Sequence, residues 1–177
     1  RAGGPGGDLP AERPGTLLRP ADHEPGRGLG LVGKQSELWP ENWDPLEVAY
    51  FAGLFDGDGS VAMYASRGRP TPNEHVNITN IDTRVLSRAR ELFGGRVVPH
   101  APSRMSRQAT WRWYVCGMRA ERFLRAIVPH LKIKKAQAEI YLSTRHLRLG
   151  PGHYRSNKDV EILRSAAAEI SRLKRGM

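Results

Sequence analysis

Two glycines lie inside a segment that otherwise reads as an α-helix. Residues 44–59 read DPLEVAYFAGLFDGDG, and small residues recur every four positions at Ala49, Gly53 and Gly57, so they share one helical face. A glycine inside a helix costs about 1 kcal/mol relative to alanine, and two of them require a compensating interaction. The usual one is the close approach of another helix to a face without side chains. The segment therefore predicts a helix that packs tightly against a second helix.

Capping signals fix the limits of this helix. Asp44 is a capping residue, Pro45 suits the first helical position, and the glycines near residues 57–59 end the pattern. The larger apolar residues flank the small-residue stripe, and we expect them to be buried against a sheet: Leu46, Tyr50, Leu54 and Phe55.

Alternating and helical apolar patterns follow one another along the rest of the chain. Period-2 alternation predicts strands over residues 59–67, 75–81, 96–99 and 110–116, with a hairpin turn between the first two. Helical spacing predicts a helix capped by Asp82 and ended by Gly94, helices over 118–128 and 134–147, and a tail helix over about 158–174. This order predicts an α+β fold.

Strand parity divides the side chains of the predicted sheet between its two faces. Because successive residues of a strand point to opposite sides, one set should enter the core. That set is Val61, Met63, Val76, Ile78, Trp111, Trp113 and Val115.

Charge and composition differ between the two ends of the chain. Residues 1–45 hold 5 basic and 7 acidic side chains, whereas residues 46–177 hold 23 basic and 11 acidic ones. Residues 1–38 are rich in Gly and Pro without an apolar period, so we expect a disordered extension, followed by a domain over residues 39–177. A basic domain of this size favours nucleic acid as its partner, ahead of an anionic membrane surface.

Cysteine content and hydropathy exclude further classes. The single cysteine, Cys116, has no internal disulfide partner, and no Cys/His cluster predicts a zinc site. No apolar run approaches the roughly 20 residues that span a bilayer. We expect an intracellular protein of a reducing compartment, such as a bacterial cytoplasm or an organelle.

The helix pattern runs directly into the acidic stretch Asp56-Gly57-Asp58-Gly59. If two copies of the helix cross, their ends bring two Asp58 carboxylates together, which is costly unless cations lie between them. Hard oxygen ligands suit Mg²⁺ or Ca²⁺, and divalent metals beside a basic surface suit phosphodiester hydrolysis. An ordinary turn remains an alternative. An EF-hand loop fits poorly, because Val61 and Arg67 would fall where glycine and glutamate are needed.

Residues 51–59, FAGLFDGDG, closely resemble the signature of the LAGLIDADG homing endonucleases. The resemblance covers roughly residues 44–148 and implies an αββαββα fold, in which an antiparallel, saddle-shaped sheet carries helices on its convex face. A single copy of the motif resembles the homodimeric branch of the family. The resemblance thus implies a homodimeric, Mg²⁺-dependent double-stranded DNA endonuclease, in which Mn²⁺ or Ca²⁺ can also occupy the metal site.

Site residues follow from the same resemblance. Asp58 resembles the metal-binding carboxylate, and Gly57 the residue whose carbonyl helps to hold the metal. In the stretch NITNIDTR, Asn80 resembles a polar residue that positions water or metal, and Arg84 resembles a basic residue near the scissile phosphate. In the stretch LKIKKAQAEI, Lys134 resembles the active-site lysine of the family. The positions that resemble those packing the two motif helices are Ala52, Gly53 and Gly57, to which the small-residue stripe adds Ala49.

The sheet face opposite the core would then lie in the DNA major groove. Its polar mixture suits contacts with base edges, and neighbouring basic residues suit phosphates. The expected base-reading residues are Ser60, Tyr64, Ser66, Asn77, Thr79, Arg112 and Tyr114. The expected phosphate contacts are Arg67, Arg69, Arg104, Arg107, Lys132 and Lys135.

A second interpretation is a nucleic-acid-binding protein that has the same fold but does not cleave DNA. Relatives of this family include intron RNA maturases and transcription regulators, and such regulators commonly lose the acidic residue that Asp58 represents here. Maturases can retain it, so intron RNA stays open as a partner. A membrane-surface protein is disfavoured, because no amphipathic helix with an aromatic apolar face is present.

Overall fold

A computed structural model describes residues 42–101, 108–147 and 156–176. All of them fall within one compact unit, Ser36–Met177. The expected disordered extension over residues 1–38, and the expected phosphate contacts Arg104 and Arg107, lie outside the described residues.

The first helix, α1, spans Pro45–Asp58 and begins as its capping signals predict. The Asp44 carboxylate accepts a hydrogen bond from the Leu46 N–H at 2.9 Å, and Pro45 occupies the first helical position. The helix buries Val48, Phe51, Ala52 and Phe55, a set at spacings of three and four residues that covers one face.

Two residues expected beneath this helix lie on its outer side instead. Leu46 is 79% exposed and Tyr50 is 55% exposed, so the prediction that they pack against the sheet is wrong. Each lies about half a helical turn from the buried Val48, so both follow the small-residue stripe and not the core face.

Four strands form one antiparallel sheet. They are β1 (Gly59–Tyr64), β2 (Asn73–Asn80), β3 (Arg96–His100) and β4 (Thr110–Val115), and their spatial order is β1-β2-β4-β3. Strand β1 ends three residues before its predicted limit, whereas β2 begins two residues earlier than predicted. The pairing of Tyr64 with Asn73 closes the β1–β2 ladder and leaves residues 65–72 as the connection.

The other helices are α2 (Thr83–Phe93), α3 (Gly117–Ile127), α4 (Lys135–Ser143) and α5 (Asn157–Arg175), with short 3₁₀ turns at Val128–His130 and Arg145–Leu147. Helix α4 is shorter than predicted, because the chain passes into the second 3₁₀ turn after Thr144. The α+β class and the αββαββα order are confirmed, with α4 and α5 following. In the part of the chain that the structure describes, no helix is long and apolar enough to cross a membrane.

Strand parity is confirmed by burial. Six of the seven residues assigned to the core face are at most 3% exposed: Val61, Met63, Val76, Ile78, Trp113 and Val115. Trp111 is partly buried against the same core. The helices therefore cover this face of the sheet, and the polar set lies on the opposite face.

An aromatic cluster ties the helices to the sheet. The Phe123 ring of α3 lies 5.5 Å from Phe55, 4.9 Å from Phe93 and 5.0 Å from Trp113, with all three pairs edge-to-face. The Trp113 Nε1–H donates to the Gly94 carbonyl at 2.8 Å, which satisfies the polar atom of this buried ring. One α3 side chain thus joins α1, α2 and β4.

We expect Phe123→Ala to lower the free energy of unfolding by about 3–5 kcal/mol, because it removes a fully buried ring and leaves a cavity. Met118→Ala, on the same helix but 56% exposed, should change it by less than about 0.5 kcal/mol. Denaturant titration measures both, and equal losses would contradict this description of the core.

Candidate active site

The C-terminal end of α1 is fixed by the partly buried carboxylate of Asp56. Asp56 accepts hydrogen bonds from three consecutive backbone N–H groups, those of Lys132 at 2.6 Å, Ile133 at 3.2 Å and Lys134 at 2.9 Å. Burial alone would raise the pKa of Asp56, but these donors and the nearby Lys134 ammonium outweigh it, so its pKa lies below its ordinary value. Asp56 therefore fixes the loop before α4 onto α1 as a carboxylate.

The same loop also places the Lys134 ammonium beside the end of α1. The Lys134 ammonium donates to the carbonyl oxygens of Phe55, Asp56 and Gly57, the first and last at 3.1 Å. These carbonyls belong to the last turn of α1, where the helix dipole favours positive charge. Burial lowers the pKa of Lys134, an effect that the Asp56 and Asp58 carboxylates oppose. Lys134 thus lies beside the acidic motif.

The second carboxylate of the motif faces outward. Asp58 is exposed at the last residue of α1, and its Oδ2 accepts a hydrogen bond of 2.6 Å from Asn80 Nδ2 at the end of β2. Asn80 Oδ1 in turn accepts from the Asp82 N–H at 2.8 Å, which fixes the orientation of the amide. The structure therefore brings Asp58, Asn80 and Lys134 together at one helix end.

Arg84 is connected to this group only indirectly. Its guanidinium binds both carboxylate oxygens of Asp82, with Nη2 2.7 Å from Oδ2, and its side chain is 91% exposed. The hydrogen bonds from Arg84 lower the pKa of Asp82 to about 2. Asp82 was expected only to cap α2, but it also links Arg84 to Asn80.

The outer face of α1 has no covering element in the described part of the chain. Ala49, Gly53 and Gly57 are exposed, and a Cβ added at either glycine would meet no atom of the described residues within 4 Å, apart from the nearby backbone of α1 itself. Together with the exposed Leu46 and Tyr50, these residues form a smooth apolar surface, which we call the α1 outer face. Ala52 is fully buried in the chain's own core, so its expected role in helix–helix packing is corrected.

The sheet face opposite the core carries the expected polar residues in aligned rows. The register pairs Ser60 with Asn77 and Asn77 with Tyr114, and it pairs Thr79 with Arg112. Arg112 Nε donates to Thr79 Oγ1 at 3.3 Å, and its Nη2 lies 2.8 Å from His100 Nε2. Since a guanidinium only donates, the His100 ring accepts this bond as its Nδ1–H tautomer. Arg112 is therefore held in place on this face.

Two residues of this face differ from expectation. Asn77 is only 6% exposed, because it lies in a central strand between the side chains of Ser60 and Tyr114, and its expected base contact stays a prediction. His75 was not selected, although parity places it here. Its ring lies 5.9 Å from Tyr64 and 6.5 Å from Tyr114, and burial, then Arg112 and Lys174, lower its pKa. An open pocket of about 550 Å³ is lined by these three rings and by Arg112.

The remaining expected contacts lie at the surface. Arg67, Lys132 and Lys135 are exposed, and the Arg69 guanidinium donates to Asn73 Oδ1 at 3.2 Å. Tyr64 is 50% exposed at the end of β1, and Ser66 lies beyond that strand.

The described residues of one chain do not form a complete metal site. Among the described residues, no three His, Cys, Asp or Glu side chains are grouped to hold a metal ion. Asp58 supplies one exposed carboxylate, and the Gly57 carbonyl supplies a second hard oxygen that now accepts from Lys134. Oxygen donors of this kind fit Mg²⁺ or Ca²⁺, but a complete site needs further ligands.

No family model matches the sequence, and no curated protein matches it either. Solved structures do match the fold. The homing endonuclease I-CvuI, crystallised with its DNA target and Ca, is 23% identical over 73% of this chain and 82% of that one, with a TM-score of 0.55. The archaeal intron-encoded homing endonuclease I-Vdi141I, complexed with DNA, is 19% identical over 72% and 84%, with a TM-score of 0.57.

The solved structure of a larger protein also matches the fold. The LAGLIDADG meganuclease I-AabMI, bound to uncleaved DNA, is 14% identical over 71% of this chain but only 44% of that one, with a TM-score of 0.54. This protein therefore has an α+β fold shared with homing endonucleases. More particularly, it is the LAGLIDADG fold that residues 51–59 imply, in a chain that matches less than half of the larger enzyme.

We expect Asp56→Asn to lower the free energy of unfolding by about 1–2 kcal/mol at pH 7, because an amide cannot accept from three N–H groups as the partly solvated carboxylate does. Since the folded-state pKa of Asp56 is lowered, its contribution is present above pH about 4 and is lost as the pH falls towards the folded-state value. Denaturant titrations of both proteins between pH 3 and 7 measure this.

The matched control is Asp58→Asn, two residues away and exposed, which should change the free energy of unfolding by less than about 0.5 kcal/mol. If the difference in free energy of unfolding between wild type and Asp56→Asn increased as the pH fell, this role of Asp56 would be contradicted.

Proposed function

We propose that this protein is a divalent-metal-dependent, sequence-specific double-stranded DNA endonuclease that acts as a homodimer. The observation that carries the proposal is the position of Asp58, an exposed carboxylate at the end of a helix whose outer face is smooth, apolar and uncovered in the described part of the chain. The fold shared with DNA-bound homing endonucleases supports the same activity.

The homodimer follows from what the α1 outer face requires. Leu46 and Tyr50 leave a large apolar area exposed to water, and Gly53 and Gly57 leave room for a second backbone. The same face of a second copy is complementary to it, since a two-fold interface pairs identical surfaces. Crossing of two α1 helices near their C-terminal ends brings together both Asp58 residues. I-AabMI, of which this chain matches less than half, supports an enzyme with two such units.

The paired Asp58 carboxylates, with the Gly57 carbonyls, would hold the metal. When bound, Mg²⁺ would supply an electrophile for a phosphate oxygen and a more acidic water. Asn80 keeps the Asp58 carboxylate oriented through its 2.6 Å hydrogen bond. Lys134 places a positive charge beside the same carboxylate, where it offsets the negative charge of a phosphate undergoing hydrolysis.

The polar sheet face would contact the DNA bases. Arg112, held by Thr79 and His100, presents a guanidinium suited to guanine, and Tyr64 and Tyr114 present hydroxyls. Exposed Arg67, Lys132 and Lys135 suit phosphate contacts around this face. A homodimer would bind a nearly palindromic site, since symmetric proteins bind symmetric half-sites. The biological role would be the mobility of an intron or intein that encodes the protein.

We expect wild-type protein with Mg²⁺ to cut duplex DNA that joins the two sequences flanking its reading frame. Asp58→Asn should reduce the cleavage rate at least 100-fold, because it removes the charged metal ligand while leaving the fold intact. Gel analysis of end-labelled duplex measures both strands.

Lys158→Gln, an exposed substitution on α5 remote from the motif, should cleave at the wild-type rate. Absence of cleavage by wild type, or undiminished cleavage by Asp58→Asn, would contradict the proposal. DNA or intron RNA binding without any cleavage would instead favour a regulator or a maturase.

A further inference from the structure

The tail helix α5 carries a cation to the edge of the candidate active site. Helix α5 begins at a capping box formed by Ser156 and Asp159, and it buries Leu163, Ala166, Ala167 and Ile170 in the core. It packs beside β1, so its last turn reaches the beginning of that strand. There the Lys174 ammonium donates to Ser60 Oγ at 2.8 Å, across 114 positions of sequence.

The position of Ser60, the hydrogen-bond partner of Lys174, shows which surface Lys174 lies on. Ser60 lies two residues after Asp58 and on the polar face of the sheet, in one row with Asn77 and Tyr114. Lys174 therefore lies where the acidic motif meets the proposed base-reading face.

Lys174 has no carboxylate partner among the described residues. Arg172, in the same helical turn, is paired with both oxygens of Glu169, with Nη2 2.6 Å from Oε1. The hydroxyl of Ser60 is the neutral partner of Lys174. A cation fixed against a neutral group, and still accessible to solvent, is suited to bind an external anion.

The electrostatic surroundings favour the same ligand. Burial lowers the pKa of Lys174, and the positive charge of Lys134 lowers it further. Lys174 in turn contributes to the lowered pKa of His75, after burial and Arg112. Lys134 therefore acts on Lys174, and Lys174 and Arg112 both act on His75. The Asp56 and Asp58 carboxylates face Lys134, but an anion bound at Lys174 would still relieve the repulsion between the two lysines.

We propose that Lys174 binds a DNA backbone phosphate between the cleavage centre and the base-reading face, with the Ser60 hydroxyl holding its ammonium in position. This inference rests on the proposed function, because it assumes that the polar sheet face contacts DNA. It assigns α5 to the DNA-binding surface of the enzyme. Two copies of the chain would contribute two such contacts.

The test measures binding of full-length protein to a 40-base-pair duplex of mixed sequence at several salt concentrations. Each phosphate contact contributes about 0.9 to the slope of log affinity against log salt concentration. We expect Lys174→Gln to reduce that slope by about 1 per protomer and to weaken binding roughly ten- to thirtyfold near 0.15 M salt. Lys174→Arg should restore the slope, since it restores the charge.

Two controls separate a phosphate contact from a general effect of charge. Lys158→Gln removes one positive charge at the other end of the same helix and should leave the slope within error of wild type. Ser60→Ala keeps the charge but removes its anchor, and should weaken binding two- to fivefold with little change of slope. Circular dichroism checks that each variant remains folded.

A Lys174→Gln slope and affinity equal to those of Lys158→Gln would overturn the inference while leaving the endonuclease proposal intact. Failure of wild type to bind duplex DNA would overturn both. Because this duplex carries no specific target site, its binding by wild type without cleavage is expected of a sequence-specific enzyme, and the slope of Lys174→Gln alone decides the role of Lys174.

Discussion

Helix α1 packs into its own domain through only one of its faces, and the rest of the structure depends on that division. Val48, Phe51, Ala52 and Phe55 enter the core, where Phe55 meets the aromatic cluster around Phe123. The opposite side exposes Leu46 and Tyr50, and it carries Gly53 and Gly57, where an added Cβ would meet no described atom within 4 Å outside the nearby helix backbone. Exposure of the apolar Leu46 and Tyr50 side chains to water is unfavourable, and the small residues between them allow an identical helix to approach closely.

The two carboxylates at the end of this helix, Asp56 and Asp58, have different roles. Asp56 is tied to three N–H groups of the loop before α4, and that loop returns the Lys134 ammonium to the last carbonyls of α1. These two sets of hydrogen bonds fix the position of Lys134 relative to the motif. Asp58, two residues on, accepts a side-chain hydrogen bond from the Asn80 amide and is exposed. One carboxylate therefore holds the helix end in position, and the other is available to a ligand.

Local patterns predicted the elements well, because each depends on neighbouring residues. The cap at Asp44, the strand parity and the helix order all follow from short-range spacing. The family resemblance, which extends over roughly residues 44–148, supplied Asn80 and Lys134, which the structure brings to the acidic motif. Which side of α1 enters the core was predicted less well, since the apolar residues surround the small-residue stripe on both sides. Leu46, Tyr50 and Ala52 were misassigned for this reason.

Contacts between distant segments could not be read from the sequence. The hydrogen bonds of Asp56 span about 76 to 78 positions, and that of Lys174 to Ser60 spans 114. No spacing rule connects residues so far apart, because their meeting depends on how the helices pack on the sheet. His75 is different, since parity alone would have placed it on the polar face between Tyr64 and Tyr114.

The central claim is that the α1 outer face joins two copies into one active enzyme, and Gly53→Leu tests it most directly. Apart from the nearby backbone of α1 itself, no atom of the described residues lies within 4 Å of a Cβ at this position, and leucine favours the helix by about 0.8 kcal/mol. We predict by sedimentation equilibrium with DNA that wild type and Lys158→Leu are dimers, whereas Gly53→Leu is a folded monomer that does not cleave. A Gly53→Leu protein that remains dimeric and cleaves normally, or a wild type that is monomeric on DNA, would contradict the account.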